Sequence, residues 1–73
     1  MMSQEAFESH GITFFCALHN GKPEGMAWFT DTKGQEHRIP LAPGRLEAVL
    51  HGIPMECHDA VEALYANFWP RLR

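Results

Sequence analysis

Two short stretches set cysteine close to histidine: "CALH" holds Cys16 and His19, and "ECH" holds Cys57 and His58. Side chains of these types are the ligands of tetrahedral zinc. Their spacing argues against that chemistry. Cys16 and His19 are an odd number of residues apart, so on a regular strand they point to opposite faces. Cys57 and His58 are adjacent, and neighbours diverge by about 100° around a helix. No metal site is expected, and both cysteines read as small core residues. A nucleophilic Cys57 would draw on a helix amino terminus to lower its pKa and on His51 or His58 as a base. The same residue, however, belongs to an apolar stripe with Val61 and Leu64 that would bury it. "HNGKPEG" sets Gly21 and Gly25 around Lys22, but it lacks the phosphate-loop pattern and no helical segment follows it. Neither a catalytic residue nor a cofactor is expected, and the chain reads as a non-enzyme.

The bulk properties agree with that. A chain of 73 residues makes one domain, residues 1–73. At this size only about 60% of the unfolded surface is buried, which leaves little interior for a substrate cavity of roughly 300 Å³. Apolar residues are 45% of the chain and charged ones 21%, the balance of a folded domain rather than a disordered one. The net charge of −3 repels phosphate backbones, so nucleic acid is disfavoured as a partner. Two cysteines are too few for a disulfide framework. The start, "MMSQEAFESHG", has no apolar leader-like core, and no apolar run nears the roughly 18 residues of a membrane helix. A cytoplasmic protein without membrane association is expected.

The elements follow from period and punctuation. Residues 1–11 read as a polar lead-in, with Phe7 able to tuck against the core and Ser9, His10 and Gly11 as a break. "ITFFCAL" is β-branched and aromatic, and Asn20-Gly21, Pro23 and Gly25 then mark a hairpin loop. "MAWFT" gives a second strand, "DTKG" a turn, and "QEHRIPL" a third strand with Pro40 at an edge or end. Residues 12–41 thus form a three-stranded antiparallel sheet. From Pro43 the period changes. Leu46, Val49, Leu50 and Ile53 recur at i, i+3, i+4 and i+7, the stripe of a first helix that ends at Gly52. Pro54 opens a second helix that buries Cys57, Val61, Leu64 and Phe68, flanked by Ala60, Tyr65 and Trp69, and Pro70 stops it. Two helices over residues 43–69, packed on one face of the sheet, make an α+β fold.

That architecture leaves one side of the sheet uncovered while its strands are apolar in both directions. Ile12, Phe14, Cys16 and Leu18 form the better inward face, and Phe15 then points outward. For Met26–Phe29, parity alone does not choose between Trp28 and Phe29. The expected binding surface is therefore Phe15, Trp28 and Phe29, rimmed by Lys22 and Arg38. The amino-terminal segment folding back through Phe7, or a symmetric homodimer, would also cover it. The preferred function is a small protein-binding module, an inhibitor or regulator docking on a larger intracellular machine, in the style of phage regulators of host RNA polymerase or defence complexes. The alternative is single-stranded nucleic-acid binding by Trp28 and Phe29 with Lys22, Lys33, Arg38 and Arg45, which Glu24, Asp31 and Glu36 nearly neutralise. The helical carboxylates Glu47, Glu56, Asp59 and Glu62 could form a negative surface for a basic partner.

Overall fold

The alternation in "ITFFCALH" becomes strand β2, Ile12–His19, with Ile12, Phe14, Cys16 and Leu18 buried and Phe15 exposed. In the computed structural model, which describes residues 2–72, β2 is an inner strand of a four-stranded antiparallel sheet ordered β1-β2-β3-β4. The others are β1 (Met2–Ser9), β3 (Lys22–Thr30) and β4 (Glu36–Pro40). The fold is α+β, as expected, but the sheet has one more strand than the periodicity suggests.

The extra strand is the segment read as a polar lead-in. His10 and Gly11, at φ 53° and 77°, form a tight two-residue turn, and β1 then pairs with β2 along its whole length, from Ser9 opposite Ile12 to Met2 opposite His19. Such an edge strand needs little apolar content of its own, because one face and one edge meet water. Only Phe7 reaches the core among its inward residues, packing 6.4 Å from the rings of both Phe14 and Phe68. The segment lengthens the sheet instead of lidding it.

Asn20 and Gly21, at φ 53° and 81°, make a second turn of the same kind between β2 and β3. The hairpin is tighter than the loop expected over residues 19–25, because β3 begins at once with Lys22 opposite His19. Its register then shifts. Cys16 faces Ala27 while Leu18 faces Pro23, so β3 holds two more residues than β2 over that interval, and Gly25 takes up the excess at φ 92°.

The helical part is two pieces. Helix α1, Leu46–His51, begins three residues after Pro43, which lies in the preceding turn. Gly52 closes α1 with an N–H bond to the Val49 carbonyl, at φ −102° rather than in the left-handed region. A 3-10 turn over Met55–Cys57 runs directly into α2, His58–Leu72. Its buried residues are Ala60, Val61, Leu64, Tyr65 and Phe68; of the rest of the expected helix face, Cys57 is buried in the 3-10 turn and Trp69 is exposed. Pro70 does not end α2. Tertiary contacts hold the last turn: Leu72 packs on the core, and Arg71 stacks over the Phe68 ring at 4.4 Å while donating two hydrogen bonds to Glu5, at 3.2 and 2.9 Å. No helix among the described residues is long and apolar enough to cross a membrane.

Candidate functional site

Register decides which aromatics reach water. Phe14 pairs with Phe29 and Phe15 with Trp28, and paired residues share a face of the sheet. Once Phe14 turns toward α2, Phe29 must follow. Phe29 is 1% exposed, with its ring 4.8 Å from Phe14 and 5.0 Å from His37. It is a core residue and drops out of the expected binding surface.

Phe15 and Trp28 remain outside. Phe15 is 37% exposed, and its ring stacks on the half-buried Trp28 with centroids 6.4 Å apart and an interplanar angle of 27°. Met26, on the same face, is 45% exposed. Trp28 and Met26 join Glu36 and Arg38 around a shallow hollow of about 310 Å³. Arg38 is well solvated and lies 3.9 Å from Glu36, so this ion pair is loose. The outward side of the sheet therefore carries an apolar centre beside a rim of both charge signs. Lys22 is not part of it. It sits at the far end of the β2–β3 hairpin, beside a different hollow shared with His19, Glu24 and Arg71. Met26 shares the parity of Trp28 in the regular part of β3, so once pairing with Phe15 turns Trp28 outward Met26 follows.

On the opposite side of the sheet the polar groups do structural work. Asp31 Oδ1 accepts hydrogen bonds from the backbone N–H groups of Lys33 and Gln35, both at 2.9 Å, and Oδ2 lies 2.8 Å from His37 Nε2. The His37 contact, then the backbone donors, hold the Asp31 carboxyl below the usual carboxylate range. Tyr65 donates its hydroxyl hydrogen to the Pro40 carbonyl, tying α2 to the end of β4, and burial raises its phenol.

Neither cysteine has the surroundings of a nucleophile. Both are fully buried free thiols, and burial pushes Cys16 up to about 11 and also raises Cys57. Cys16 faces the core and the exposed His19 faces outward, the divergence their spacing requires. No group of three or more His, Cys, Asp or Glu side chains converges among the described residues.

In comparisons with known proteins, no family model, curated protein or solved structure matches the chain.

Proposed function

We propose that the chain is a non-enzymatic protein-binding module whose docking surface is the open face of the sheet. The observation that carries this reading is the stacked, solvent-facing pair Phe15 and Trp28, with Met26 beside it and no helix or strand among the described residues laid over it. Large aromatics left in water cost free energy that a partner recovers, and they dominate the energetics of protein interfaces.

The uncovered parts of Phe15, Trp28 and Met26 amount to roughly 200 Å², about 5 kcal/mol gross at 25 cal/mol per Å². Association costs consume much of that. The apolar centre must therefore be helped by the rim, where Arg38 and Glu36 can fix orientation against complementary charges. An 8.3 kDa chain with such a surface suits an inhibitor or regulator of a larger intracellular assembly. Nucleic acid is the weaker occupant. Arg38 is the basic residue beside Trp28, whereas Arg45 lies on the helix side and Lys22 at the hairpin end.

The test is the double variant Phe15→Ser/Trp28→Ser. Both side chains face water, so its circular dichroism and melting cooperativity should match the wild type while crosslinking to the native partner is lost. Partner recovery equal to wild type, in a folded variant, would rule the face out.

A further inference from the structure

The second edge of the sheet offers a different surface. In a two-residue hairpin the residues flanking the turn exchange hydrogen bonds, so Ser9, Phe7, Glu5 and Ser3 of β1 bond to β2. Following that alternation across the sheet directs the even-numbered residues of β3 toward β2 and its odd-numbered residues toward β4. The Leu41 N–H bond to the Gly25 carbonyl and the Asp31 N–H bond to the Gln35 carbonyl, both at 2.9 Å, obey the same parity. The N–H and C=O groups of Glu36 and Arg38 consequently face the free edge of β4, while the Pro40 carbonyl is taken by the Tyr65 hydroxyl.

That edge does not open onto flat solvent. It borders a groove of about 350 Å³ between β4 and α1, with Ile39, Val49 and Ile53 among its apolar lining and two arginines, Arg38 and Arg45, beside them. Arg45 is exposed, and no carboxylate among the described residues forms an ion pair with it. The edge strand β1 contrasts with this. Glu5 is held by Arg71, and Glu8 adds another negative charge along the strand. Like charge blunts an edge against acidic strands, and opposite charge invites them.

We infer that the β4 edge receives an extended peptide segment, alternating apolar and acidic residues, as an added strand. Backbone groups of Glu36 and Arg38 would supply its ladder. One set of its side chains would enter the groove over Ile39, Val49 and Ile53, and carboxylates of the other set would meet Arg38 on the sheet's open side, while Arg45 at the groove attracts the segment's net negative charge. Strand addition uses the edge backbone and the groove, whose lining shares only Arg38 with the open face.

The probe is a synthetic peptide alternating glutamate and valine over eight residues, titrated into the full chain and followed by amide resonances. Shifts and slowed exchange are expected at the Glu36 and Arg38 amides, with shifts at Ala48 and Val49. Affinity should fall on the order of tenfold in Arg38→Ala/Arg45→Ala. The exposed Ala48→Glu, which places a negative charge at the groove, should weaken binding as well. Arg38→Glu/Arg45→Glu should instead prefer the lysine–valine counterpart peptide. The inference is overturned by silence at β4 in millimolar peptide, by shifts centred on β1 or the open face, by undiminished binding after charge reversal, or by a dimer that occupies the β4 edge in peptide-free protein.

Discussion

Asp31 organises the β3–β4 turn through one carboxylate: two backbone donors on Oδ1 and the His37 ring on Oδ2. His37 in turn stacks on Phe29, so the turn is fastened to the core. Because the folded value of Asp31 lies below its unfolded one, this stabilisation is complete above the unfolded value, about 4, and is lost as pH falls through the lowered folded value. Asp31→Asn should accordingly destabilise the protein at pH 6, with the gap to wild type narrowing as pH drops below about 4. Urea unfolding at pH 6 and pH 3 checks this, and a gap independent of pH would remove the charge from the account. In sequence, "DTKG" identified the turn. The link to His37 six residues on was not readable, because it needs the register that brings β4 back alongside β3.

At the scale of elements, β1 and α2 depend on each other. The Glu5–Arg71 pair joins residues near the two ends of the chain, with the guanidinium held over Phe68. Glu5 is pushed below its ordinary range by the Arg71 hydrogen bonds, and Arg71 is raised by the same contact. Both side chains are about one-third exposed, so water screens the pair. Arg71→Ala should cost about 0.5 to 1 kcal/mol, including the lost cation–π contact, or roughly 2–8 °C in Tm. The loss should shrink in high salt, and amide exchange should quicken first in β1 and the last turn of α2. Faster exchange spread evenly over the sheet would contradict a local clamp. The stripe of α2 was legible because its period is carried by its own residues. Strand β1 was not, since its polar side chains are organised by the neighbour it pairs with.

For the whole molecule, one core cluster joins the inner face of the sheet to Val49 of α1, Cys57 of the 3-10 turn and the buried face of α2. Cys16 and Cys57 both sit within it, at 0% exposure. Their thiols should react with a disulfide reagent only when the domain opens. Labelling of both should therefore track the globally unfolded population across a urea series. Prompt reaction of Cys57 in native buffer would show instead that the α1–α2 corner opens by itself. The outward face, by contrast, lies apart from this core, so substitutions there should leave folding intact.

The amino-acid sequence alone determined the class of fold, the inward residues of β2, the helical stripes and the burial of both cysteines, all of which follow from local period and composition. Tertiary structure decided the rest. Whether Trp28 or Phe29 meets water depends on pairing with Phe14 and Phe15, and whether residues 2–9 form a strand depends on β2 offering an edge. The groove beside β4 depends on where α1 comes to lie. Periodicity says which residues share a face; only pairing between distant segments says which way that face turns and what lies next to it.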